Sequence, residues 1–576
     1  MLEEINEELN RKEYLNKKKI AFLKKKYLDS YTRYKKFTYI FSCKAWKCKC
    51  VYKNLEKRAK KKNEIFLKEE DKKYDALFSN INGRSLDKEQ RIAVLQEEDS
   101  SLVIAGAGSG KTLTMLGKIV YLLKVKQVEA SKILCISFTN AITQDFKTSL
   151  KKVTEEKIDC MTFHKLGISI FHYNGLDVEI AEETFLKVIL LRWIEKIDLT
   201  FFFKENKGKK ELFLNLVSTF IHLFKAGGYE KESFLLFMEE AKKNKNRFLR
   251  KKELLFLDFT YKVYTTYQEE LEKENKIDFD DMIKEATSLL LHGGSYKKYD
   301  YILIDEYQDT SYIRYQLVKA LKEMGMSKVI AVGDDWQAIY KFTGCTLDNF
   351  LNFEQLFPYS SIFKIQTTYR NPQELITVAG KFVMKNKKQI YKELHSQKRV
   401  KKPIKIFFYK QKRDFIYFLD QIISKNKSDA YYILGRNNHD IEFLRNYDEF
   451  LIENNEIQYQ KHPNISFYFY TVHKSKGLES ENVILINMED SILGFPSQLT
   501  EDALLRYVTK KENYPYEEER RLFYVALTRT KNNVYLFCPS SQCSIFVKEL
   551  LEENKKDIEI IKYKTENLEE AKDVVY

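Results

Sequence analysis

Apolar positions along this chain switch between a period of three to four and short unbroken runs, and the switches outline its elements. Over residues 1–75, Tyr14, Leu15, Ile20, Phe22, Leu23, Tyr27, Leu28, Tyr31 and Tyr34 recur at helical intervals, which predicts amphipathic helices arranged as a hairpin. From residue 76 to 176 brief apolar runs such as Ser101–Ala105 alternate with helical stretches, the order of a doubly wound α/β domain. Residues 177–276 turn helical and rich in Phe, Leu and Lys, so a helical insertion is expected there. Strand-like runs return at Tyr301–Ile304 and in the segment Lys328–Asp335, which extends the first α/β domain over residues 277–351. A second α/β domain is expected over residues 352–552, with strands at Ile404–Tyr409, Tyr431–Arg436, Asn482–Asn487 and Asn533–Cys538. Residues 553–576 read as a charged, loosely held tail.

At 576 residues the chain is too long for one core and suggests about three to four domains. Its net charge is +15 with 14% aromatic residues, a balance suited to phosphates and stacked bases. The arm alone holds 23 Lys and Arg against 12 Asp and Glu, with no Gly or Pro. No apolar stretch approaches the roughly 18 residues that cross a bilayer, and the acidic start lacks a signal-peptide core, so a cytoplasmic protein is expected. Cys135, Cys160, Cys345, Cys538 and Cys543 are scattered as buried thiols of a reducing compartment would be. Cys43, Cys48 and Cys50 lie close together but match no zinc spacing.

Two segments carry the chemistry. AGAGSGKT, from Ala105 to Thr112, sits between a strand and a helix. Ala105, Gly106, Ala107, Gly108, Ser109 and Gly110 form a phosphate cradle in which glycines let backbone N–H groups close on the ligand; Lys111 adds a point charge and the Thr112 hydroxyl a Mg²⁺ ligand. ILIDEYQDT, from Ile302 to Thr310, ends an apolar strand with Asp305 for the Mg²⁺ shell and Glu306 for the attacking water. A third segment, GDDWQAIYKFTG from Gly333 to Gly344, places Gln337 near the terminal phosphate and Tyr340 and Phe342 where they can face a base. A nucleoside triphosphate and Mg²⁺ are the ligands these segments imply.

These segments stand in a longer series: LDKEQ, ISFTNAITQDF, TFHKLG, DFDDM, TTYRNP, TVHKSKGLE and EEERRLFYVALTRTK. In that order the series resembles the superfamily 1A helicases of the UvrD, Rep and PcrA group over about residues 85–540, with wording most similar to the helicase IV branch. The resemblance implies two RecA-like doubly wound parallel-sheet domains, with residues 177–276 as the insertion called 1B. It implies that Gln90 reads adenine, Glu479 touches the ribose, Gln337 senses the γ-phosphate, and Arg370 and Arg529 reach from the second α/β unit toward the charge developing in transfer. It also implies that Phe138, Thr139, Asn140, Thr162, Phe163, His164, Tyr340, Phe342, Thr471 and His473 line a single-strand groove by stacking and phosphate contacts.

Two departures qualify the resemblance. Thr343 stands where an Arg usually follows the aromatic of the third segment. Only about 100 residues separate Asn371 from Thr471, so the large regulatory 2B domain is expected to be absent or vestigial. The activity implied is ATP-dependent translocation on single-stranded DNA with 3′-to-5′ helicase action at duplex junctions. Two alternatives stand beside it: a nucleotide-switched remodeller of a polymerase or other protein–nucleic-acid complex, which would use the arm to reach its protein partner, and a helicase subunit of a DNA repair or phage-defence assembly.

Overall fold

The computed structural model describes residues 1–35, 43–195, 207–425, 430–499, 502–512 and 514–561. Two sheets organise it. The first contains β1 (Ser100–Ala105), β2 (Ile133–Ser137), β3 (Asp159–Thr162), β6 (Tyr301–Ile304), β7 (Lys328–Gly333) and β8 (Ser360–Ile365), all parallel, in the order β3-β2-β6-β7-β1-β8. Between its halves, β4 (Glu179–Ile180) and β5 (Lys276–Ile277) pair with each other at the mouth of the helical insertion.

Side-chain alternation explains why this sheet is covered on both faces. Along β1, Leu102 and Ile104 enter one core while Val103 and Ala105 enter the core on the opposite face, so a near-continuous apolar strand is what two helical layers require. The same rule holds in the second sheet, built from β9 (Ile404–Tyr409), β10 (Ala430–Gly435), β11 (Phe450–Glu453), β12 (Glu456–Tyr459), β13 (Ser466–Thr471), β14 (Ser480–Leu485), β15 (Thr530–Pro539) and β16 (Ile558–Ile561). Its order is β11-β12-β13-β10-β14-β15-β9-β16. Along β15, Val534, Leu536 and Cys538 face one core and Tyr535 and Phe537 the other. Between Asn371 and Thr471 the described chain forms β9 to β13 with their connections; the antiparallel pair β11–β12 is an edge hairpin of this sheet.

Three findings differ from the expected outline. First, β8 pairs with β1 in full register from Ser100↔Ser360 to Ala105↔Ile365, so the first sheet continues past residue 351. Second, β16 adds to β9, which gives the start of the expected tail a structural place; residues 562–576 lie outside the described residues. Third, the arm leans on the first α/β unit. Its helices meet through Ile5, Leu23 and Leu55. Leu67 and Tyr74 pack against the core behind β1. The Tyr14 hydroxyl donates to Glu98 at 2.8 Å and Lys18 pairs with Asp99 at 2.8 Å.

The insertion has its own Phe-rich core around the long helix Arg247–Lys273, whose start is capped by the Asn246 side chain. Leu504, Leu505 and Tyr507, which follow β14 in sequence, are buried in that same core. Among the described residues no helix is long and apolar enough to cross a membrane.

Candidate functional site

The carboxyl ends of β1, β6 and β7 open on one cleft, the place where parallel sheets hold ligands. After β1 the cradle turns through Gly108 and Gly110, both at positive φ, into the helix Lys111–Lys124. Gly108 has a second reason to lack a side chain: a Cβ there would stand 2.4 Å from the Arg370 Cβ. The cradle and the helix N-terminus present backbone N–H groups and a positive dipole end.

Lys111 Nζ donates to both carboxylate oxygens of Glu306 at 2.6 Å. Glu306 itself sits in left-handed backbone at φ 50°, and Gln308 Nε2 donates to its carboxylate at 2.5 Å. Gln308 Oε1 accepts the Asp334 N–H, which ties the β6 and β7 ends together. Gln337 Nε2 in turn donates to Asp334 at 2.6 Å. The buried Lys392 pairs with Asp334 and Asp335.

Burial, with Glu306 beside it, pushes the Asp305 carboxyl above its usual range. Burial acts on Glu306 in the same sense, but Lys111 and Lys476 outweigh it and hold that carboxyl low. The site is therefore an acidic pair neutralised by lysines. Its hard oxygen donors, the exposed Thr112 hydroxyl and the buried Asp305 carboxylate, fit Mg²⁺. A polyphosphate accompanied by such an ion matches this set: the anion would take Lys111, and the ion would relieve Asp305.

The second sheet's unit supplies Arg529, from the turn before β15. It is 1% exposed, and its guanidinium donates to Val525 O, Leu478 O and Gln337 Oε1, the last at 3.2 Å. Burial, with Arg370 nearby, pulls it down to about 9. Arg370 departs from its expected origin. It follows β8 of the first sheet, and its Nε donates to Glu479 at 2.7 Å, so it lies on the linker between the two units. That linker grips the cradle, since Thr368 Oγ1 donates to Ala107 O at 2.7 Å and the Tyr369 N–H to Gly108 O at 3.0 Å.

Gln90 also departs from expectation. It is fully buried, with Oε1 accepting the Asp87 N–H in a capping box and Nε2 donating to Ser109 O. Its amide joins the helix Lys88–Leu95 to the cradle, because a Gln three residues after an Asp N-cap is placed to close that box.

A second cleft of about 1510 Å³ runs along Tyr340, Phe342, Thr471 and His473. Phe342 is 57% exposed and stands edge-on to His473, the most open ring of the expected groove set. Tyr340 is engaged instead, stacked on Phe138 at 5.3 Å with Lys476 over its ring. Arg314 lies between Phe138 and Phe163. Phe163 departs from the groove reading: at 4% exposure it belongs with Leu166 and Ile170 in the core, on the inward stripe of the helix Phe163–Tyr173.

The hydroxyls of Thr139, Thr162 and Thr471 accept the N–H groups of Ile142, Lys165 and Lys474, so each shapes the turn at its strand end. Asn140 is exposed at the start of its helix. His164 packs on Phe279. Burial with Arg314 pulls His164 down to about 4, and burial with Arg436 does the same to His473; both are neutral at neutral pH.

Sequence reasoning passed over Lys476, which donates to Asp309 at 2.6 Å and Gln337 O at 2.8 Å, although it lies inside TVHKSKGLE. Thr368 likewise lies inside TTYRNP, whereas Arg314 and Lys392 carry no signal of their own type; only their surroundings in the fold identify them.

Known proteins match this arrangement. The UvrD/REP helicase N-terminal domain matches residues 86–358 and the UvrD-like helicase C-terminal domain residues 450–541. DNA helicase IV of Escherichia coli K12 is 27% identical over 541 residues, 88% of this chain and 76% of that protein. The ATP-dependent DNA helicase Rep of Buchnera aphidicola from Acyrthosiphon pisum is 30% identical over 477 residues, 78% and 68% of the two chains. The ATP-dependent DNA helicase PcrA of Leuconostoc citreum is 26% identical over 327 residues, 54% and 41%.

Proposed function

The chain belongs to the UvrD/Rep helicase family, and from that premise we infer that it is an ATP-dependent DNA helicase that translocates along single-stranded DNA from 3′ to 5′. One observation carries the reading. Lys111 and Glu306 of the first unit and Arg529 of the second converge on the same cleft, Arg529 meeting it through Gln337 at 3.2 Å. Nucleotide held between two units couples its own hydrolysis to their separation, and a strand resting on both is displaced stepwise.

In this reading Lys111 and the cradle hold the phosphates and Glu306 orients the attacking water. Arg529 and Arg370 balance the charge that develops in transfer, and Gln337 relays the presence of the terminal phosphate to Asp334. Glu479, paired with Arg370, faces the sugar. Thr112 and Asp305 would hold Mg²⁺, which would neutralise phosphate charge when bound. On the strand side Phe342 stacks on a base, while His473 and Asn140 offer neutral hydrogen-bonding groups to the backbone. The exposed Trp46, Lys57, Lys60 and Lys61 favour the arm as a further contact to nucleic acid. Unwinding of 3′-tailed against 5′-tailed duplexes tests the assignment: activity confined to the 3′ tail is expected, and equal or reversed preference refutes the direction.

A further inference from the structure

The segment 502–512 belongs by sequence to the second unit, yet it is fastened to the insertion and to the first unit. Leu504, Leu505 and Tyr507 are buried in the insertion's core, where the Tyr507 ring packs against Phe237 at 5.5 Å. Arg506 and the Tyr507 hydroxyl each donate to the nearly buried Glu253 at 3.0 Å. Further along, Lys510 pairs with Asp348 of the first unit. At its far end Glu512 accepts the N–H groups of Glu517 and Glu518 at 3.1 Å, which returns the segment to the second unit's helix Glu517–Leu527.

The cleft of about 1510 Å³ that holds Phe342 and His473 is lined on this side by Arg506, Thr509, Lys510 and Lys511. The first unit, through Tyr340, Lys341 and Phe342, the strap and the second unit therefore line it in turn, and the insertion holds the strap from behind through Glu253 and its core. Arg506, Lys510 and Lys511 of the strap and Lys341, Arg436 and Lys474 opposite outnumber the carboxylates of the same lining, Asp502, Glu512, Glu518 and Glu519, so the bore carries a net positive charge, as a phosphodiester backbone requires.

We propose that residues 502–512 are a strap that closes the single-strand cleft into a ring, so that the protein encircles one strand of nucleic acid and admits it by a free end. The proposal rests on the single-strand reading above and adds topology to it. A surface groove releases a strand sideways; a closed ring releases it only at an end or when the strap comes away from Glu253 and Asp348.

The test uses the full chain without nucleotide and a single strand biotinylated at both ends. Protein is loaded, both ends are capped with streptavidin, and dissociation is followed after a salt jump, beside an uncapped strand and a closed single-stranded circle. Capping is expected to slow dissociation about tenfold or more, and association with the circle is expected to be slower than with the linear strand by a similar factor, since mutual access and not affinity has changed. Glu253→Gln with Asp348→Asn, which loosens the strap and leaves its cations in place, should bring the capped and uncapped rates together. Asp348→Asn alone guards against misfolding of the double variant and should give an intermediate ratio. Equal rates from capped and uncapped strands in the unaltered protein, with strand-stimulated ATP hydrolysis intact, overturn the ring and leave the helicase reading standing. Absence of any strand-stimulated hydrolysis overturns both.

Discussion

Glu306 shows what one side chain contributes and how to measure it. Its carboxylate is held charged by Lys111 and Lys476 against the cost of burial, the state a water-orienting group needs. Glu306→Gln is expected to bind ATP and lose hydrolysis, whereas Lys111→Ala loses both; nucleotide binding and steady-state turnover separate the two. Arg529→Ala should lower turnover by about 10³ or more, as loss of a trans-acting arginine does in related phosphoryl transfer. The two phenylalanines of the expected groove should part company. Phe342→Ala, at an exposed ring, should weaken single-strand affinity by roughly 1–3 kcal/mol with little sequence dependence. Phe163→Ala, at a core ring, should instead cost about 3–5 kcal/mol of folding stability. Strand titrations and denaturant melts of both proteins check the division.

Among elements, the loop Glu97–Asp99 joins more of the structure than its composition suggests. Glu97 meets Lys118 at 3.0 Å, Lys328 and the Tyr301 hydroxyl, so it links the cradle's helix to β6 and β7. Glu98 and Asp99 receive the arm, and Asp99 also receives Lys322. Burial alone would raise Glu97, yet Lys118 and Lys328 hold it down to about 2. A depressed carboxyl stabilises fully above its unfolded value near 4.5 and loses that contribution as pH falls toward 2. The melting temperature should therefore fall over that window more steeply for the natural protein than for Glu97→Gln. Glu97→Ala strands Lys118 in the interior and should cost about 3–5 kcal/mol, much of it restored by Lys118→Met.

For the whole molecule the arm is the part whose removal is most informative. It carries a large share of the +15 charge, and among the described residues none of its cations lines the cleft that holds Phe342. A chain beginning near Asp75 gives up the pairing of Asp71 with Arg91 and the Tyr14–Glu98 bond. It should melt lower than the full chain and still hydrolyse ATP when saturated with DNA. For every strand phosphate that the arm neutralises, its removal should make the log–log salt dependence shallower by about 0.7. Titrations at several salt concentrations read this directly, and an unchanged slope means that the arm does not touch the strand.

What the sequence determined by itself was local in origin. A cradle whose glycines precede Lys111, a carboxylate pair at the end of an apolar strand, and the period changes that bound the insertion are written in neighbouring residues, because each depends on backbone geometry within a few positions. The ranges of β9, β10, β14 and β15 lie close to the apolar runs for the same reason. What tertiary structure decided was long-range. β8 joins the first sheet because it finds β1 as a neighbour, and that places Arg370 on a linker. Phe163 turns inward because its helix has a core to face. The Gln90 amide closes a local cap, but its second partner, Ser109 O of the cradle, is one that only folding brings to it. Segment 502–512 reads as a polar connection with a few apolar residues, and nothing in its own period says that Leu504, Leu505 and Tyr507 are buried under another unit. Burial of that kind belongs to the surface that receives the side chain, and that surface is assembled from residues far away in the chain.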